Sequence, residues 1–283
     1  MKRRKFIKAI SAAAGLFVTK KAVASNTTPL VDRFSGYRYG EEDYSVLYDS
    51  LAPEHVLTAA KAAMPKFNPY VRPFLRLQNQ GRMGSCVGHA MSHSFQHSLV
   101  NRFGIQADFS RMAAYITAQA HSNITGDRGA TISGAMLAAA DGICFEREWP
   151  YPESYTTSVP ATSEGKMDIS MESGRVEDAD LAWELLASGC VIMTGIAWNQ
   201  TFEREICDNH RPGGGGHSTT ISGLDKKTGH AVHHNSWGNW QGDGRNLWTK
   251  NFFRQILQND PWAVFAVFSP ADLRIPDGIA SRV

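Results

Sequence analysis

The chain has 283 residues, enough for one large domain or two packed lobes with a proper hydrophobic core. Its 42% apolar and 20% charged content is that of an ordinary globular protein, with no low-complexity run and no internal repeat. The formal net charge of +2 comes from residues 1–24, which hold seven basic side chains and no acid; the rest carries 22 basic against 27 acidic residues. A mildly acidic body gives no reason to expect nucleic acid or an anionic membrane surface as partner.

The N-terminus reads as an export signal. Lys2-Arg3-Arg4-Lys5-Phe6-Ile7-Lys8 is followed by the modest apolar stretch Ala9 to Val18 and then by Ala22-Val23-Ala24. A basic head, a short apolar middle and an A-x-A end describe a secretory signal, too short to span a bilayer stably. The paired arginines before Phe-Ile-Lys resemble a bacterial twin-arginine signal, whose pathway carries folded proteins. Beyond it, no segment approaches the ~18 apolar residues of a membrane helix. The expected partner is therefore export machinery for the precursor, with no stable membrane insertion once the signal is gone.

Residues 25–68 form a polar-to-mixed lead segment with a helical stretch near Pro53 to Met64. A loop from Gln78 to Ser85 then delivers Cys86 to a long helical run ending near Arg102, with Ser85 as a good N-cap residue. Further helices are expected over Ser110 to Ala120, Thr131 to Ala140 and Val176 to Ser188, the last opened by Glu177, Asp178 and Asp180 at its positive end. Beyond Gly189 the pattern turns to short β-branched or aromatic strands: Cys190–Ala197, Ser218–Leu224, His230–His234, Asn246–Lys250 and Trp262–Phe268. A helical first half and a stranded second half predict an α+β fold with two lobes and a cleft between them.

Four cysteines, Cys86, Cys144, Cys190 and Cys207, have neither zinc-ligand spacing nor the number of a disulfide scaffold. Cys144, Cys190 and Cys207 are read as structural, with room for one disulfide among them. Cys86 differs, because the start of a helix favours its thiolate. His217 follows four glycines and is the best candidate base. Asn235 can accept from one ring nitrogen of His217 and fix its tautomer. Gln80 can donate its side-chain amide beside the Cys86 N–H as an oxyanion hole. His89, His93 and His97 recur at i, i+4, i+8; that spacing can carry a metal stripe, but packed and hydrogen-bonded histidines are the favoured reading. His233 and His234 are taken to decorate a strand.

These residues fall into a familiar order. Gln80-Gly81-x-x-Gly84-Ser85-Cys86, Gly216-His217 and Asn235-Ser236-Trp237-Gly238 resemble the papain family of cysteine peptidases, as do Asp141-Gly142-Ile143 to Trp149-Pro150-Tyr151 and Trp240 to Gly244. His217 and Asn235 lie 131 and 149 residues after Cys86, within the ~130–150 of that family. The resemblance spans roughly residues 70–268 and implies a papain-like two-lobe fold with a helical lobe, an antiparallel β lobe and the active site between. It implies catalytic roles for Cys86, His217, Asn235 and Gln80, binding of a peptide or protein substrate by Gly129, Ala130 and Gly216, support from Trp237, and no cofactor or metal. Met83 stands where the family often has a disulfide cysteine. Ala130 replaces the second glycine of a substrate-binding Gly-Gly. The usual long inhibitory prosegment is missing.

The expected division is a signal peptide over 1–24, the lead segment over 25–68, a peptidase domain over 69–270 and a tail over 271–283. The expected function is peptide-bond hydrolysis through a thiol acyl-enzyme in the bacterial periplasm or outside the cell. An exported amidase or transpeptidase acting on cell-wall peptides is the first rival, and a catalytically silent papain-like binding module the second.

Overall fold

The computed structural model describes residues 36–48, 52–63, 77–161, 169–269 and 273–274. The expected signal peptide, residues 25–35 of the lead segment and all but residues 273–274 of the tail lie outside the described residues.

The lead segment contributes two helices, α1 (Tyr44–Tyr48) and α2 (Pro53–Ala63). The helical lobe follows as α3 (Cys86–Phe103), α4 (Arg111–His121) and α5 (Ile132–Asp141). Side-chain oxygens of Ser110 and Thr131 cap α4 and α5 by accepting from Ala113 and Gly134 N–H, and Gly104 ends α3 in a left-handed conformation. The second half comprises β1 (Ser173–Arg175), α6 (Ala179–Ala187), β2 (Val191–Trp198), β3 (Ile206–Cys207), β4 (Gly215–Leu224), β5 (Ala231–His234), β6 (Arg245–Trp248), α7 (Lys250–Asn259) and β7 (Val264–Phe268).

The strands form one sheet in the order β1-β7-β2-β4-β5-β6-β3, antiparallel except for the short β3–β6 pair. The fold is α+β, as expected, with a helical half packed on a largely antiparallel sheet. Two apolar cores correspond to the two lobes: one around Met91, Phe95, Phe109 and Tyr115, the other around Trp248, Phe252, Phe253 and Phe265. Helix α3 lies between them and is fastened to the sheet where Thr220 Oγ1 donates to the Ala90 carbonyl at 2.9 Å.

Several boundaries differ from the sequence reading. Helix α6 begins at Ala179 because the Asp178 carboxylate caps it, while Val176 N–H is committed to Phe265. Strand β4 starts three residues early, at Gly215, so His217 stands inside the strand rather than at its head. Helix α7 was not anticipated. Its apolar Phe252, Phe253 and Ile256 repeat at i, i+1, i+4, a helical stripe hidden among neighbouring strands. No disulfide joins Cys86, Cys144, Cys190 or Cys207, and all four side chains are buried. No helix among the described residues is long and apolar enough to cross a membrane.

Candidate active site

Cys86 is the first residue of α3 and is fully buried. Ser85 is the N-cap residue but does not cap: its hydroxyl turns away to Tyr151 Oη at 2.5 Å and His89 Nδ1 at 3.3 Å. The first-turn N–H groups are thereby left to the sulfur, and backbone N–H groups of Ser218, Val87 and Cys86 itself all favour a thiolate there.

His217 and Asn235 come together from β4 and the end of β5. His217 Nε2 lies 2.9 Å from Asn235 Oδ1. Ser236 N–H donates to the same oxygen at 2.7 Å, which fixes the amide orientation. Nε2 must then carry the proton, leaving a lone pair on Nδ1, a buried atom with no other hydrogen-bond partner. Trp237 stacks on the imidazole at 4.5 Å, and Trp198 meets it edge-on at 5.1 Å.

Gln80 is buried, and its amide is aimed by two neighbours. Ser236 Oγ donates to Oε1 at 2.6 Å, and Nε2 donates one proton to the Met83 carbonyl at 2.9 Å, leaving its second N–H uncommitted. Tyr151 Oη donates to the Gln80 carbonyl at 3.0 Å.

The cleft is occupied by the chain's own lead segment. A Cβ on Gly36 would stand 2.6 Å from Cys86 Sγ, so backbone passes directly over the thiol. Tyr37 pairs in parallel with Ala130: Arg38 N–H donates to the Ala130 carbonyl and Ala130 N–H to the Gly36 carbonyl, each at 3.0 Å. Tyr37 N–H reaches the Gly216 carbonyl at 3.4 Å. Gly129 and Gly216 have no room for a Cβ, which would lie 2.4 Å from the Gly36 carbonyl oxygen and 2.1 Å from that of Tyr37. The residues expected to bind substrate backbone thus hold residues 36–38, and the methyl of Ala130 does not prevent it. Farther along, the Glu42 carboxylate accepts from Ile132 and Ser133 N–H at the start of α5, at 2.6 and 2.9 Å.

This cover changes the electrostatics expected from the sequence. Burial pushes the Cys86 thiol up to about 12, against the pull of its three backbone donors. Burial also holds His217 down to about 4, although the Asn235 bond favours its charged form. The helix N-terminus was expected to lower the thiol; with water excluded by Gly36, desolvation outweighs it.

The histidine stripe is not gathered into a site. His89 accompanies Ser85 and Tyr151, whereas His93 and His97 lie against His234 of β5, with ring centroids 5.6 and 4.7 Å away. No group of three or more His, Cys, Asp or Glu among the described residues is placed to hold a metal ion. His233 is a core residue rather than decoration, bonded to Asn246 Oδ1 at 2.7 Å and stacked on Trp248. Sequence reasoning missed the roles of Ser236 and Tyr151, although both stood inside quoted motifs. Gly36-Tyr37-Arg38 carried no periodic or motif signal.

No protein-family model matches the chain, and no curated protein sequence matches it. Solved structures do. Xylellain, a cysteine protease from Xylella fastidiosa, aligns with 87% of this chain and 99% of its own at 22% identity and a TM-score of 0.59. A procathepsin B from Trypanosoma congolense aligns over 92% of this chain and 96% of its own at 16% identity, TM-score 0.59. A ragweed pollen cysteine protease in its proform covers 94% of this chain and 86% of its own at 16% identity, TM-score 0.59. The fold is shared with cysteine proteases.

Proposed function

We propose that the chain is an exported cysteine peptidase whose nucleophile is Cys86, whose base is His217 and whose base is oriented by Asn235. The observation that carries this reading is the directed chain Ser236 N–H to Asn235 Oδ1 to His217 Nε2, which leaves Nδ1 basic on the strand whose Ser218 N–H touches the sulfur. A thiolate at the start of α3 attacks a peptide carbonyl. The oxyanion lies against the Cys86 N–H and the second N–H of Gln80, and His217 protonates the leaving amine. Water activated by His217 then frees the acid. No cofactor is part of this scheme. Export in a folded state, directed by Arg3 and Arg4, suits a chain whose cysteines are not paired.

Residues 36–38 make the full chain latent. The Gly36 carbonyl accepts from Ala130 N–H, a donor other than the Cys86 N–H and Gln80 amide of the proposed oxyanion hole, so the segment is held without being cut. The test compares the full chain with its Tyr37→Ala variant, which loosens that cover. A thiol-directed epoxide is expected to label Cys86 quickly in the variant and slowly in the parent, and the variant is expected to hydrolyse casein. A folded variant that neither labels nor hydrolyses would leave only a silent binding module. Hydrolysis of peptidoglycan fragments in place of casein would move the assignment to a cell-wall amidase.

A further inference from the structure

Two side chains of α4 reach, from behind, the ledge that holds residues 36–38. Gln119 Nε2 donates to the Gly129 carbonyl at 2.9 Å and to the Gly126 carbonyl at 2.7 Å, and Tyr155 Oη donates to Gln119 Oε1 at 3.0 Å. One turn earlier, Tyr115 Oη accepts from Gly129 N–H at 3.0 Å. Both polar groups of Gly129 are therefore turned into the helical lobe, and those of Ala130 are presented to the cleft. The Tyr115 hydroxyl in turn donates to Asp127 Oδ1 at 3.0 Å, and the same oxygen accepts from Gly84 N–H at 2.8 Å, two residues before Cys86. A Cβ on Gly84 would stand 3.2 Å from the Gly129 nitrogen, so the loop before the thiol and the ledge lie against each other. Gly88, on the first turn of α3, permits this arrangement. A Cβ there would lie 2.6 Å from Tyr115 Cβ, so α4 packs close enough for the phenol to arrive at the N-terminal end of α3. All four cysteines are free, so the link between the two segments is polar and not a disulfide.

We infer that Tyr115 and Asp127 are positioning residues of the active site. The chain from Gly84 N–H through the Asp127 carboxylate and the Tyr115 hydroxyl to Gly129 N–H fixes the separation between the nucleophile and the ledge that holds the substrate backbone. The inference rests on the peptidase reading above, with a substrate taking the place of residues 36–38 on Ala130. Neither side chain touches the reacting atoms. A substrate held by Ala130 brings its carbonyl to Cys86 only if ledge and thiol keep their spacing, and small misplacements of bound reactants slow attack steeply. Binding itself needs only Ala130, so loss of the brace is read in kcat rather than in KM. A reagent too small to reach the ledge is indifferent to it.

The test takes the full chain with Tyr37→Ala as parent, fluorescent casein for turnover and iodoacetamide for the thiol alone. Asp127→Ala should lower apparent kcat about tenfold, with KM and the alkylation rate each within about twofold of the parent. Asp127→Asn keeps an oxygen for both donors and should recover most of the loss. Tyr115→Phe breaks the chain at a single hydroxyl and serves if Asp127→Ala does not fold; it should lower kcat several-fold. The two changes together should cost no more than Asp127→Ala alone, because they interrupt one connection. An unchanged kcat per folded molecule in both single variants would overturn the inference and leave the pair as a contact of the fold. An Asn variant no better than Ala, or alkylation that quickens equally in both, would also overturn it, by assigning Asp127 to the charge felt at the sulfur. These outcomes leave the peptidase reading intact. That reading fails separately, and the inference with it, if the parent neither hydrolyses casein nor takes up a thiol-directed epoxide.

Discussion

His217 and His233 lie on adjacent strands and are built alike. Both are fully buried, and both bond a carboxamide oxygen, Asn235 at 2.9 Å and Asn246 at 2.7 Å. Both stack on a tryptophan, Trp237 at 4.5 Å and Trp248 at 4.4 Å, and Trp198 touches both rings. Burial holds His217 down to about 4 and His233 to about 3. What separates them is company. His217 is followed by the residue whose N–H meets Cys86 Sγ, and its backbone neighbour Gly216 abuts the segment in the cleft. The second ring nitrogen of His233 is enclosed in the core, and its carboxamide partner is committed elsewhere, with Asn246 Nδ2 donating to the Phe202 and Arg204 carbonyls. An imidazole, an amide and an indole make a rigid neutral histidine; the strand contact to the Cys86 thiol one residue on makes His217 the candidate base.

The sharpest way to break that comparison is to remove each ring in the Tyr37→Ala chain. His217→Ala is expected to lower the kcat/KM of the folded enzyme by at least ~10³-fold, on top of the stability lost by emptying its buried seat. His233→Ala is expected to cost ~2–4 kcal/mol of stability, through a cavity and orphaned amide, while each folded molecule keeps its turnover within a few-fold. Equal effects on turnover would mean that the sheet's histidines act only as structure.

Acid should act on both rings together, and on His89, also held down to about 3 by burial. For a histidine whose folded value is depressed, the unfolded chain takes up the proton first. Stability is present above about 6.5 and is lost as pH falls toward 4. Three such groups give a slope of up to about 4 kcal/mol per pH unit. Glu42 and Asp127, raised by burial, bind protons earlier in the folded state and oppose the loss. Urea midpoints at pH 7, 6 and 5 measure the slope, and His233→Phe should reduce it by one proton. A flat profile would mean that these rings are not held neutral.

A smaller difference is expected between the two carboxamides. Asn235→Ala should reduce kcat by ~10–100-fold with a modest effect on KM, because the ring loses its orientation. Asn246→Ala should reduce urea resistance and leave kcat of the folded enzyme close to its parent. Kinetics at matched folded fraction separate the two.

The sequence made one of these histidines legible and not the other, for a physical reason. His217 follows a glycine run and stands at a set distance from Cys86, so its place in a reaction could be read from order and spacing. His233 depends on β5 meeting β6, where it pairs with Asn246, and pairing between strands leaves no local trace. Helices α2 to α5 were legible within a residue or two, α4 and α5 through the local caps Ser110 and Thr131, whereas the five-residue α1 was not. Helix α7 was lost because a short apolar run fits strand and helix alike. The occupied cleft was illegible: residues 36–38 take their conformation from Ala130 and Gly216, about ninety and one hundred and eighty residues away, rather than from their own pattern.

Glu203 offers the finest test of how Trp198 serves both rings. Its two carboxylate oxygens accept separate indoles, Trp198 Nε1 at 3.0 Å and Trp240 Nε1 at 2.6 Å, while Gln241 Nε2 donates to its carbonyl at 2.9 Å. One exposed side chain therefore ties the loop after β2 to two of the rings around His217 and His233. Glu203→Gln keeps the size and one acceptor, so one indole must turn to water or shift. Because the site is exposed, water takes over much of the lost bond and stability should change by less than ~1 kcal/mol. The Trp198 edge against His217 is the contact that should feel the change, lowering kcat about two- to threefold with KM unchanged and altering tryptophan fluorescence. Glu203→Asp, with a shorter reach to the same two donors, should fall between. Normal kinetics with altered fluorescence would make the clamp a feature of the loop alone. Loss of kcat without any fluorescence change would mean that Glu203 acts by its charge and not through Trp198.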